Sequence, residues 1–290
     1  MRTKRPSILC TSLLMAAVML LSGCGIVYDP NATLPNKTPH DVTEPPAPTT
    51  DSGEYAPPAS PYGVGDFTFE NGYLKCRDGK AVMGIDVSAH QKEIDWESVK
   101  NTDVEFAIIR VGYRGYGENG STHIDEYAKE NLQGARAAGI PIGCYFFSQA
   151  INVEEAREEA NIVLSVLDGM KLELPVVFDW EYVSATARTA RTSARTVTDC
   201  TLEFCRIIAE AGYTPMIYFN ADHANDRLYL EEVEQYAWWF ARYAPEQGPM
   251  CKTDVWQYTD SGTIAGITKA VDINLMFTEW GIGKQLFGSK

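Results

Sequence analysis

The chain has 290 residues, 39 acidic side chains against 25 basic ones, and a formal net charge of −14 at pH 7. So acidic a protein lacks the basic footprint that nucleic-acid binding needs, and anionic lipid and anionic wall polymers repel it. Its four histidines (His40, His90, His123 and His223) form no H-x-x-H or H-E-x-x-H spacing, and no glycine-rich phosphate loop is present; no metal and no cofactor are therefore expected.

Residues 1–23 read as an export signal. Arg2, Lys4 and Arg5 precede a short apolar run from Ile8 to Leu21, too short and too closely followed by small residues for a spanning helix. The ending Leu21-Ser22-Gly23-Cys24 resembles a bacterial lipobox, which implies cleavage before Cys24 and acylation of its thiol. Diacylglycerol and an amide-linked chain together would hold a protein at a membrane, where one chain alone binds only marginally.

Residues 24–64 carry nine of the fifteen prolines, interleaved with Thr, Asn, Asp and Ser. This composition predicts a disordered tether whose reach, at ~3.1 Å per residue, is on the order of 100 Å. The expected location is the outer face of the bacterial cell membrane, facing the wall. Residues 65–80 alternate apolar and polar around Asn71-Gly72, the signature of a small hairpin with a type I′ turn.

Residues 81–290 form one domain with a strand-then-helix rhythm. "AVMGIDVS" and "FAIIRVGY" are predicted strands, followed by a helix over 125–138; "IPIGCYFFS" leads to a helix over 152–168. "LPVVFDWEY" is the next strand, and the helix after it places Val197, Cys200 and Phe204 on one face before Gly212 stops it. "TPMIYF", "AWWFARY", "DVWQYT" and "AVDINLMF" complete about eight strands. The 260–270 connection is too short for a crossover helix. The predicted fold is therefore α/β: a modified (β/α) barrel with fewer helices than strands, preceded by the hairpin.

Five cysteines lie outside the leader and Cys24: Cys76, Cys144, Cys200, Cys205 and Cys251. Their odd number leaves at least one thiol unpaired, and they read as small buried residues.

Three D-x-E pairs occur, and their positions separate them. Asp95 stands where a helix starts, with Glu97 in its first turn, which is a cap. Asp103 and Glu105 fall in a polar turn. Asp179 and Glu181 instead end an apolar strand, and period-two alternation puts both on one face. In a (β/α) barrel the C-terminal ends of the strands hold the active site. The structural alternative is a buried ion pair with Arg110 or Arg242. Asp86 ends the first strand and Asp272 belongs to the last; as neighbours in a closed barrel these strands can bring all four acids to one mouth. Carboxylates without metal-ligand spacing, in an aromatic-lined cleft, suit glycoside hydrolysis. Tyr145, Phe147, Tyr218 and Trp256 are the aromatic candidates for sugar contact.

The chain resembles glycoside hydrolase family 25, the lysozyme-type muramidases, through "GIDVSAHQ", "FAIIRVGYRG", "PVVFDWE", "WWFARY", "VWQYTDSGTIAGI" and "VDINLMF", in that order. The resemblance implies a flattened barrel with Glu181 as general acid/base and Asp179 stabilising the developing positive charge or orienting the 2-acetamido group. It gives Asp86 and Asp272 as supporting acids. It implies hydrolysis of the β-1,4 bond between N-acetylmuramic acid and N-acetylglucosamine. The expected partners are peptidoglycan glycan strands and, through Cys24, the membrane, with the protein a monomer. Lys92 stands where the family often has glycine, a departure expected to reshape the loop near Asp86 while removing no matched carboxylate.

Overall fold

The computed structural model describes residues 55–288. The predicted leader, Cys24 and residues 24–54 of the predicted tether lie outside them. A hairpin comes first, β1 (Phe67–Glu70) against β2 (Tyr73–Cys76). Asn71 and Gly72 both have positive φ, as the sequence predicts for its turn.

Eight strands then close a barrel: β3 (Ala81–Val87), β4 (Val104–Arg114), β6 (Ile142–Ser148), β7 (Val176–Trp180), β8 (Pro215–Asn220), β9 (Ala237–Ala241), β10 (Val255–Gly262) and β11 (Val271–Phe277). A three-residue strand, β5 (Thr122–Ile124), is added antiparallel to the end of β4. Neighbouring barrel strands are parallel except that β11 runs against both β10 and β3. The short 263–270 connection causes this, because only an antiparallel partner can be reached without a crossover.

The helices are α1 (Trp96–Lys100), α2 (Ala128–Ala137), α3 (Val153–Leu167), α4 (Ala194–Glu210), α5 (Ala221–Asp226) and α6 (Gly281–Phe287). Asp95 caps α1 by accepting from the Ser98 amide, as expected. Asn152 and Ser193 cap α3 and α4 in the same way. Glu105 differs from the sequence reading: it belongs to β4, while Asp103 in the turn pairs with Lys75 at 2.8 Å.

Two apolar layers hold the barrel. Val176, Phe178 and Trp180 join Phe204 and Ile208 of α4 outside it, while Phe106, Ile108, Val177, Met216 and Trp239 fill its interior. Gly84 makes room for this filling, since a Cβ there would meet the Phe106 ring at 2.4 Å. Ile282 and Phe287 of α6 close the end where β11 finishes. The five cysteines of the domain are all buried free thiols.

One boundary differs from expectation. Composition assigns residues 55–62 to the tether, yet they pack on the barrel. The Lys252 amide donates to the Pro58 carbonyl at 2.7 Å, and Ala59 bridges Cys251. Tyr62 stacks on Phe277 at 5.2 Å. Proline spacing reports what a segment cannot build, whereas two tyrosines supply enough apolar surface to dock it.

Candidate active site

Alternation along β7 sends Val176, Phe178 and Trp180 outward and Val177 and Asp179 inward. Asp179 is 5% exposed, beside Phe147 on β6 and Tyr218 on β8 in the ladder. Glu181 is half-buried one residue past the end of β7, so the strand delivers Asp179 and the residue directly after its last ladder pair is Glu181. Asp86 and Asp272 face each other directly in the β3–β11 register. Because β11 is reversed, its start lies on the same rim as the ends of the parallel strands.

The rim is electrostatically crowded. Burial pushes Asp179 well above the carboxylate range; Glu181 and Asp86 push it further, and Arg110 opposes them. Asp272 is raised by burial and then by Asp86 and Asp260. Asp86 is pushed up to about 6 by burial, with hydrogen bonds from Asn274 and Gln257 holding it back. Burial and mutual repulsion therefore both oppose ionisation across this cluster.

Two amides organise Asp86 and Asp272. Gln257 Nε2 donates to Asp86 Oδ2 at 2.9 Å and to Asp272 Oδ2 at 3.1 Å. Asn274 Nδ2 donates to Asp86 Oδ2 at 2.8 Å. Indole N–H can only donate, so the bond from Trp239 Nε1 to Asn274 Oδ1 at 2.8 Å sets which way that amide points. Tyr243 and Tyr218 donate to Gln257 Oε1 at 2.9 and 3.3 Å. Asp179 Oδ1, by contrast, is buried with no hydrogen-bond partner among the described residues. An acceptor left in that condition is costly unless something else reaches it.

Tyr145, Phe147 and Tyr218 stand on inward positions of β6 and β8, and Tyr145 meets Trp239 edge-on at 5.9 Å. Trp256 does not join them. It is 0% exposed on the outer face of β10, 4.9 Å from the Phe67 ring, with its Nε1 donating to the Arg242 carbonyl. Both faces of a barrel strand are buried, so apolar character does not say which way a residue points. The inward residue is Gln257, and its signal in the sequence is a lone amide in an apolar strand. The sequence reading also misses Tyr243, just past β9 in the "WWFARY" motif. Its hydroxyl reaches the cluster through Gln257 while the residue stays 52% exposed.

The two arginines considered as structural partners of the acids have other bonds. Arg110 Nε pairs with Asp125 at 2.8 Å, and Arg242 donates to the Gly248 carbonyl and to Gln247.

The rim of a closed barrel thus gathers four carboxylates beside aromatic rings. The family model of glycosyl hydrolases family 25 matches residues 85–267, and the chain belongs to that family. It is an enzyme of the lysozyme type. Lysozyme M1 of Streptomyces globisporus is 28% identical over 207 residues, covering 68% of each chain. The autolytic lysozyme of Clostridium acetobutylicum is 25% identical over 194 residues, 67% of this chain and 55% of its own. The bacterial lysozyme from Streptomyces coelicolor superposes with a TM-score of 0.56 at 25% identity, over 69% of this chain and 93% of that one. The modular autolysin LytC from Streptococcus pneumoniae, solved with a synthetic peptidoglycan ligand, gives 0.62 at 24% identity. That likeness concerns the fold; it covers 73% of this chain and 52% of the autolysin, so this chain spans about half its length.

Proposed function

We propose that the protein is a membrane-anchored muramidase that cuts the β-1,4 bond between N-acetylmuramic acid and N-acetylglucosamine, with Glu181 as general acid/base and Asp179 as the charge-stabilising acid. The observation that carries the reading is the gathering of Asp86, Asp179, Asp272 and Glu181 on one rim.

Glu181 gives its proton to the leaving O4 as the C1–O4 bond breaks. The substrate's own acetamido oxygen attacks C1, forming an oxazolinium ion, and water then opens it while Glu181 takes the water's proton back. Asp179 Oδ1, buried and without a partner among the described residues, suits the acetamido N–H, whose charge grows as the ring closes. Asp86 and Asp272, fastened by Gln257 and Asn274, support the charge balance of the rim. Tyr145, Phe147, Tyr218 and the half-exposed Tyr243 offer faces for the sugars.

Glu181→Gln is expected to abolish muropeptide release from purified sacculi while the protein still melts cooperatively. Mass spectrometry of wild-type products should find N-acetylmuramic acid at the new reducing ends. Full activity in the variant, or reducing N-acetylglucosamine, contradicts the reading. The anchor is tested separately, because Cys24→Ser should move the protein from the membrane to the soluble fraction with turnover on soluble strands intact.

A further inference from the structure

Glu181 directly follows β7, past the pairing of Ser148 with Trp180 that ends the β6–β7 ladder, so no ladder pair orients its carbonyl or the peptide that follows. We propose that Gln149, seated by Thr189 and Arg188, is the positioning residue that aims the Glu181 carboxyl; the inference rests on the role given to Glu181 above. Gln149 follows β6 and is 0% exposed. Its Nε2 donates to the Glu181 carbonyl at 2.5 Å and to the Ser148 carbonyl at 3.0 Å.

The direction of this amide is determined by its neighbours. Carbonyl oxygens only accept, so the nitrogen must face Glu181. On its other side the Thr189 hydroxyl donates to Oε1 at 2.9 Å. The Gln149 main-chain oxygen accepts from Arg188 Nη1 at 2.7 Å. The same guanidinium forks onto Glu155 in the first turn of α3, with both bonds at 2.6 Å. Bidentate pairing of this kind adds geometric definition as well as energy.

The segments that follow β6 and β7 are thus stapled together, and the staple ends on the peptide unit that carries the acid. A side chain's direction follows from its main chain. A catalytic group displaced by about 1 Å loses on the order of 100-fold in rate, so releasing the staple should act on turnover more than on binding.

The test uses the full chain with soluble, uncross-linked glycan strands, reading reducing-end release and thermal melting. Gln149→Met keeps the shape and removes the donor; Thr189→Val keeps the shape and removes the hydroxyl; Thr189→Ser restores it. Gln149→Met and Thr189→Val are each expected to lower kcat by roughly 10–100-fold with KM within about 3-fold. Thr189→Ser should return to within about 3-fold of wild type. Should Gln149→Met fail to fold, the two variants at Thr189 decide the matter. Folded Gln149→Met and Thr189→Val proteins with wild-type kcat, beside an inactive Glu181→Gln, overturn the inference alone. An active Glu181→Gln overturns the assignment of the acid and the inference with it.

Discussion

Asp95 and Asp179 stand in the same triplet, Asp-Trp-Glu, and the molecule uses them in opposite ways. Asp95 is exposed and accepts from the Ser98 hydroxyl and amide, which holds its carboxyl below the usual range. Asp95→Ala should lower the melting temperature slightly through loss of the cap and leave turnover unchanged. The rim acids behave in the reverse sense. Asp86 has a folded pKa of about 6, above its ordinary 3.8, so the unfolded chain releases that proton first as pH rises. Stability from this group is complete below about pH 4 and declines through the interval up to about 6. Asp86→Asn should therefore stabilise the protein near pH 7.5, on the order of 1–3 kcal/mol, and the gain should vanish near pH 4. Urea melts at the two pH values check this, and a gain independent of pH would contradict it. Tyr243 supplies a third contrast, since its exposed ring and its hydroxyl have separate uses. Tyr243→Ala should raise KM, by loss of a stacking face worth about 1 kcal/mol, more than Tyr243→Phe does.

At the scale of elements, what is readable in the sequence depends on whether one face of a strand differs from the other. β7 is readable because Asp179 breaks an apolar run that Glu181 follows, and α4 is readable because Val197, Cys200, Phe204 and Ile208 keep a helical stripe. β10 is not, because Val255, Trp256, Gln257 and Tyr258 are buried on both faces. The hairpin decides between Trp256 and Gln257, since it covers the outer face through Phe67 and through the Leu74 amide on the Tyr258 hydroxyl. The antiparallel sense of β11 is implicit in its short approach, whereas three-residue β5 and glycine-bearing α6 leave too little periodicity to detect. Because Trp256 belongs to the hairpin contact and not to the rim, Trp256→Ala should cost about 3–5 kcal/mol of stability. KM should stay near wild type below the lowered melting temperature. A large rise in KM with an unchanged melt would return Trp256 to the sugar cleft.

For the molecule as a whole, the relevant geometry is where residues 55–62 meet the barrel relative to where the acids lie. Tyr62 packs between Phe67, Phe277 and Trp280 and donates to Glu279, while Tyr55 donates to Glu234 ahead of β9. Asp272 stands near the start of β11 and Phe277 ends it. At about 3.3 Å per residue, some 16 Å of strand separates the two. The strap therefore docks at the end of the barrel closed by α6, and the acids open at the other. Docking of the strap and chemistry at the rim should then be separable. Tyr62 is 5% exposed, so Tyr62→Ala should remove about 3 kcal/mol, lowering the melting temperature by roughly 6–12 °C. At temperatures where the variant remains folded, kcat on soluble glycan strands should equal that of the wild type. A fall in kcat without a fall in stability would mean that the strap and the rim communicate along β11.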